Sequence, residues 1–256
     1  MKVAASCWRK LSPKQTVYDW MFDTMQRAAD EHVALLVFPA LIGNLFLNSE
    51  NFVEKTIELS KMFPNTLICP GSYWERVGEV TYHTSFVVHK GDILWHQRQL
   101  YLAKWEKDVT ISRGDELIVF SYEGINMAII LGTDVFYPQV ARYAAMQGVQ
   151  IVLSPVALLK PTSYAKQLSG VWQNVQQNLF FAIESAFNDR FSHYYFEGIS
   201  QIHAPLELTE DDHGLLAKSN NEMITATLPL EQLDWARRFY NPLRQLNKTA
   251  YKTLFE

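Results

Sequence analysis

Cysteine is scarce in this 256-residue chain: Cys7 and Cys69 are the whole supply. Two thiols exclude a disulfide scaffold and any multi-cysteine zinc site. An excess of cations is also missing, since 23 Lys and Arg stand against 27 Asp and Glu, for a formal net charge of −4. Binding to a phosphate backbone needs clustered cations, so nucleic acid is not an expected partner. Long apolar runs are absent as well. Met127–Leu131 and Ile151–Leu153 fall far short of the ~20 residues that span a bilayer. The opening stretch Met1–Trp8 is closed by Arg9-Lys10, too early for a signal peptide. The expectation is a cytoplasmic protein without a membrane partner. No repeat, low-complexity tract or Pro/Gly/Ser linker divides the chain, so residues 1–256 read as a single domain. At 48 % hydrophobic residues, a chain of this length buries a core without help from metal or disulfide.

Strand-like and helix-like periodicities alternate from end to end. Val3–Trp8, Ala34–Pro39, Thr66–Cys69 and Val149–Ser154 read as buried strands. Thr81–Val88 with Asp92–Leu100, and Leu117–Ser121 with Ile125–Leu131, read as hairpins turning at Lys90-Gly91 and Glu123-Gly124. Ser12-Pro13 reads as the N-cap and first turn of a helix that carries Val17, Trp20, Met21, Met25 and Ala28 at helical spacing. Further helices are expected over Phe52–Met62, Pro138–Gln147, Gly170–Ser185 and Leu230–Phe239, and further strands over Arg190–Glu197, Ser200–His203 and Met223–Leu228. Several hairpins among mixed α/β elements suggest two sheets covered by helices.

Some polar groups invite a functional reading that simpler physics answers. His83, His89 and His96 sit on the two arms of one hairpin without metal-ligand spacing, so scattered strand residues explain them. Glu207–His213, with Glu210, Asp211 and Asp212, lacks the alternation of a calcium loop and reads as a solvated turn. Arg237-Arg238 ends a helix and complements its dipole. Trp172, Phe180, Phe181 and Phe187 read as packing residues. Cys7 and Cys69 read as small buried hydrophobes.

Five motifs, taken in order, resemble those of one family. They are Leu36-Val37-Phe38-Pro39-Ala40, Trp95–Leu102, Ile129–Gln139, Ala182-Ile183-Glu184-Ser185 and Gly198–Pro205. They look like the Phe-Pro-Glu strand end, the Tyr-Arg-Lys-x-His-Leu strand, the Cys-containing elbow, the Ala-Ile-Glu-Asn helix and the Gly-x-Ser-x-Ile strand of the nitrilase superfamily, the carbon–nitrogen hydrolases. The resemblance covers nearly the whole chain. It implies an α/β fold, a four-layer α-β-β-α sandwich, in which residues 239–256 form a tail packing a homodimer.

The family's chemistry uses a cysteine nucleophile, a glutamate base and a lysine that steadies the oxyanion. Carried over position by position, the resemblance puts Ala40 in the glutamate slot, Gln99 in the lysine slot and Gly132 in the cysteine slot. Phe136 and Gln139 stand where the family has Arg and Glu. Losing the nucleophile of such a unit costs about 10⁶ in turnover. The implied protein is a pseudoenzyme that binds a small molecule or a protein, such as an active relative. It keeps a remnant pocket of Ala40, Gln99, Tyr101, Glu106, Gly132, Thr133 and Asp134, with no catalytic residue, cofactor or metal. Glu106 lies one residue away from the family's supporting glutamate by count from Gly114. Two other readings stay open. One is retooled chemistry in the same pocket, using Glu106, Asp134, Tyr101 or Thr133. The other is an ordinary amidase built on Cys7 or Cys69.

Overall fold

The computed structural model describes residues 1–210, 213–240, 243–247 and 249–250. Of the acidic turn, Asp211 and Asp212 lie outside the described residues, as does half of the expected 239–256 tail. Seven helices are described: α1 Val17–Asp30, α2 Ser49–Met62, α3 Lys104–Asp108, α4 Pro138–Met146, α5 Tyr164–Leu168, α6 Val171–Asn178 and α7 Leu230–Phe239.

Two sheets stand face to face. The first runs Ile224–Thr227, Lys2–Ala5, Leu35–Val37, Leu67–Cys69, Val80–His89, Ser72–Val77, with Asp92–Arg98 and Ile111–Ser112 also paired to Val80–His89. The second runs Leu215–Ser219, Ser200–His203, Phe181–Asn188, Ile151–Val156, Ile125–Ile129, Val119–Tyr122. Three central strands of each sheet are parallel and buried on both faces. That is why they read as apolar runs rather than alternations.

Side-chain alternation assigns the layers. Val3, Ala5, Leu35, Val37 and Leu67 meet Met127, Ile129, Ile151, Leu153, Phe181 and Ile183 between the sheets. The intervening residues Ala4, Leu36, Phe38 and Ile68 turn outward onto Met21, Met25 and Ala28 of α1 and Phe52 and Leu59 of α2. On the far side Ala128, Ile130, Val152 and Ala182 meet Val140, Ala141, Ala144 and Ala145 of α4 and Val171 and Val175 of α6. The result is the expected α-β-β-α sandwich, held by three apolar layers in which each fully buried large side chain is worth about 1.5–3 kcal/mol.

Both expected hairpins form. Lys90 and Gly91 (φ 52° and 93°), and Glu123 and Gly124 (φ 50° and 80°), have positive φ at both central residues. This is the tight hairpin geometry that matches strand twist. Other expectations are corrected. The helix expected from Ser12 begins at Val17, because Thr16 and Asp19 form a reciprocal capping box while Ser12–Gln15 makes a turn. The strand expected over Val3–Trp8 splits. Lys2–Ala5 stays in the first sheet, and Trp8–Arg9 pairs with Phe187–Asn188 of the second.

The helix expected over Gly170–Ser185 ends at Asn178. Leu179 adopts φ 53°, and the chain continues as the strand Phe181–Asn188. Thus Ala182-Ile183-Glu184-Ser185 is a strand segment, not a helix. Its two-sided burial removes the period-2 signal that would have marked it. Arg190–Glu197 is not one strand but a short hairpin, Arg190–Phe191 with Tyr194–Tyr195, turned at Ser192 with φ 54°.

Candidate functional site

Three chain segments converge where strands of the two sheets end. Leu35–Val37 runs out into Phe38-Pro39-Ala40. Asp92–Arg98 runs out into Gln99. Ile125–Ile129 runs out into Leu131-Gly132 and the short 3-10 turn Gly132–Phe136. Ala40 and Gln99 are fully buried, and Gly132 is buried too.

Gln99 is the centre of the polar contacts. Its Nε2 donates toward Glu106 Oε2 at 2.7 Å, Thr133 Oγ1 at 2.8 Å and the Tyr101 carbonyl at 2.8 Å. Its Oε1 is buried without a partner among the described residues. That oxygen faces Gly132, where a β-carbon would come within 2.7 Å of it. Gly132 also has φ +57°, a left-handed conformation that L side chains rarely adopt. An amide at 99 therefore fits a residue without a side chain at 132.

Glu106 anchors the other end. It sits in the first turn of α3 and accepts from Ala103 N at 2.7 Å, which joins the helix entry to the site. Its Oε1 lies 2.6 Å from His83 Nδ1, and His83 Nε2 lies 2.6 Å from Ser72 Oγ. Ser72 Oγ in turn accepts from the amide of Leu41, the left-handed residue that follows Ala40. One buried chain of contacts thus links the turn after Ala40 to Thr133, through Ser72, His83, Glu106 and Gln99. Each member of this chain has partners, as burial of polar groups requires.

Asp134 closes the elbow. Both its oxygens accept from Leu100 N, and Oδ1 also accepts from Tyr101 N at 2.7 Å. Burial outweighs these bonds and pushes its carboxyl from 3.8 up to about 7. Tyr101 stacks on Tyr137 with centroids 3.8 Å apart, and Gln139 donates to its hydroxyl.

Of the residues singled out from the sequence, Gln99, Tyr101, Glu106, Thr133 and Asp134 contact one another directly, Gly132 faces the Gln99 oxygen, and Ala40 is tied in through Leu41 and Ser72. The sequence reading missed Ser72, because no strand was expected at Ser72–Val77. It also set His83 aside. Ser72 pairs with Ser85, two residues from His83, so the two side chains are diagonal neighbours on one face of an antiparallel pair. His89 instead meets Tyr122 and the Pro64 carbonyl, and the three histidines form no cluster. Among the described residues no group of three or more His, Cys, Asp and Glu is arranged to hold a metal ion.

Both cysteines are reduced and buried. Cys69 is sealed at the end of Leu67–Cys69, 3.5 Å from Ser85 Oγ, and burial pushes its thiol up to about 11. Cys7 accepts from Asn188 Nδ2 at 3.1 Å. No helix among the described residues is long and apolar enough to cross a membrane.

No family model matches the sequence, and no curated protein does. Solved structures do match the fold. The amidase of the nitrilase superfamily from Nesterenkonia AN1, in a cysteine variant, superposes with TM-score 0.80 at 18 % identity, covering 99 % of this chain and 97 % of that one. A double variant of the same amidase in complex with acrylamide gives 0.81 at 17 % identity, over 99 % and 97 % of the two chains. Another variant, with the acetamide moiety of fluoroacetamide added at its active-site cysteine, gives 0.80 at 18 % identity over 99 % and 96 %. The chain is therefore built on the carbon–nitrogen hydrolase fold of these amidases.

Proposed function

We propose that this chain, built on the carbon–nitrogen hydrolase fold, is a pseudoenzyme with a ligand-binding or regulatory role, in which Ala40, Gln99 and Gly132 replace the base, the cation and the nucleophile. One observation carries the reading: the elbow residue Gly132 has no side chain, and the Gln99 oxygen stands 2.7 Å from where its β-carbon would be. No covalent acyl intermediate forms on a residue that lacks an atom to attack with. Gln99 gives Glu106 a hydrogen bond without a positive charge, so a developing oxyanion gains no cation there. Cys69 is a poor substitute, because a thiol raised to about 11 is almost wholly protonated at neutral pH.

The test is ammonia release from a panel of amides and nitriles. The native chain releases none above background, and Cys7→Ser and Cys69→Ser change nothing. Thiol-dependent turnover would overturn the reading.

A second reading, retooled chemistry in the same place, is favoured by one feature. Ser72, His83 and Glu106 are connected as the nucleophile, base and orienting carboxylate of a serine hydrolase are. Against it, Ser72 is fully buried and its oxygen already accepts from Leu41 N. Labelling of Ser72 by a small fluorophosphonate would favour this reading over the first.

The same proposal takes the chain as one domain acting in the cytoplasm as a homodimer. Large apolar side chains exposed on the outer helices, Tyr143 and Met146 of α4 and Trp235 of α7, support self-association. A partner enzyme of the same fold is the regulatory alternative to a small ligand. Sedimentation velocity and affinity capture test these two claims.

A further inference from the structure

A cleft of about 710 Å³ lies on the outer helical face of the second sheet, away from the Gln99 contacts. Its walls include Arg142 of α4, Gln177 of α6, Leu179, Glu207, Phe239 of α7 and Tyr240. A guanidinium is charged at every accessible pH. Yet Nη1 of Arg142 is shielded from water and has no acceptor among the described residues. Glu207 lines the same cleft without forming an ion pair with it among those residues.

A second guanidinium adjoins. Arg237 donates to the carbonyls of Leu179 and Val149, at 2.9 and 2.6 Å, and burial lowers its pKa from the ordinary arginine value. Carbonyl dipoles hold this arginine in place, and the nearby Asp234 carboxylate acts on its charge. The chain as a whole is acidic, at −4, and Arg142 is a cation of this cleft with no ion-pair partner among the described residues. Beside it Phe239 and Tyr240 present their rings, 68 % and 55 % exposed. Exposed aromatics next to an arginine without a counter-ion are the composition of a recognition surface, not of an ordinary solvated face.

We propose that this cleft binds a small organic anion, a carboxylate or phosphate carried on a planar ring, with the anion answering Arg142 and the ring lying against Phe239 and Tyr240. The site goes beyond the proposed role of the Gln99 region and stands independently of it, since none of its residues belongs to that region. Gln177, exposed on the same wall, adds an amide donor for a second ligand oxygen.

The test titrates the full chain with benzoate, phenyl phosphate, inorganic phosphate and benzyl alcohol, following calorimetry and thermal stability, with sedimentation velocity alongside. Benzoate or phenyl phosphate binds, and which of the two binds tighter identifies the anion. Inorganic phosphate and benzyl alcohol, each lacking one half of the pattern, bind more weakly. Arg142→Gln weakens the ring-bearing anion about tenfold or more, as loss of a charged hydrogen-bond donor predicts. Arg142→Lys restores part of the affinity, and Phe239→Ala brings the ring-bearing anion down toward inorganic phosphate. Equal binding by the native chain and Arg142→Gln overturns the proposal, as does no binding by any probe. It is also overturned if Arg142→Gln alters self-association while every probe is silent, because a second copy would then be what answers the charge.

Discussion

The side-chain oxygen of Gln99 and the α-carbon of Gly132 are fitted to each other: a β-carbon on residue 132 would approach that oxygen to 2.7 Å. Residues 99 and 132, which the resemblance sets in two of the family's three catalytic slots, are thus coupled by contact here. Gly132→Cys alone is expected to cost about 1–3 kcal/mol, from overpacking and from a side chain placed at φ +57°. Shortening the neighbour in Gln99→Ala/Gly132→Cys should relieve the contact, so the two changes are non-additive in urea unfolding. Strict additivity would mean that the two side chains do not share the space.

Glu106 gathers three donors, from His83, Gln99 and the amide of Ala103. Glu106→Ala takes the acceptor from His83 Nδ1 and Ala103 N, while Gln99 Nε2 keeps Thr133 and the Tyr101 carbonyl. A loss of about 3 kcal/mol or more is expected, seen as a lower urea midpoint with an unchanged m value. A loss below about 1 kcal/mol would indicate that water or a shifted side chain takes the carboxylate's place.

The carboxyl of Asp134 gives the protein a pH signature. Burial lifts it from 3.8 in the unfolded chain to about 7 in the folded one. Below the lower value both states are protonated, and its contribution to stability is fully present. As pH rises toward about 7 only the unfolded chain ionises, so that contribution is lost, and above 7 it changes no further. Asp134→Asn should flatten the fall in stability over this window, measured as urea midpoints against pH. Parallel curves for the two proteins would place the titration elsewhere.

Cys69 has no exposed surface, and its thiol is pushed up to about 11. Iodoacetamide at neutral pH should leave it unmodified in the folded protein and alkylate it in urea, as read by peptide mass spectrometry. Modification of the folded chain at a rate near that of a free thiol would contradict its burial.

Much of this architecture was legible in the sequence because it rests on local rules. The hairpin turns at Lys90-Gly91 and Glu123-Gly124 lie where positive φ is needed, and α7 spans the stretch its pattern marks. The strand Phe181–Asn188 was hidden because it is buried on both faces and follows directly on a helix that ends at a left-handed Leu179, which carries no Gly or Pro signal. Within the site, Gln99 and Gly132 were found through motif order. Ser72 and His83 were not, because their meeting depends on the register of two strands rather than on spacing along the chain. The link from Glu106 to His83 likewise spans 23 residues and joins a helix to a strand.

The central claim, that no thiol serves this fold's chemistry here, is tested most directly by intact-mass analysis after incubation with fluoroacetamide. The native protein is expected to keep its unmodified mass, and Ala40→Glu/Gln99→Lys/Gly132→Cys to gain one acetamide unit if the scaffold still presents the hydrolase geometry. A stoichiometric adduct on the native chain, abolished by Cys69→Ser or Cys7→Ser, would contradict the account.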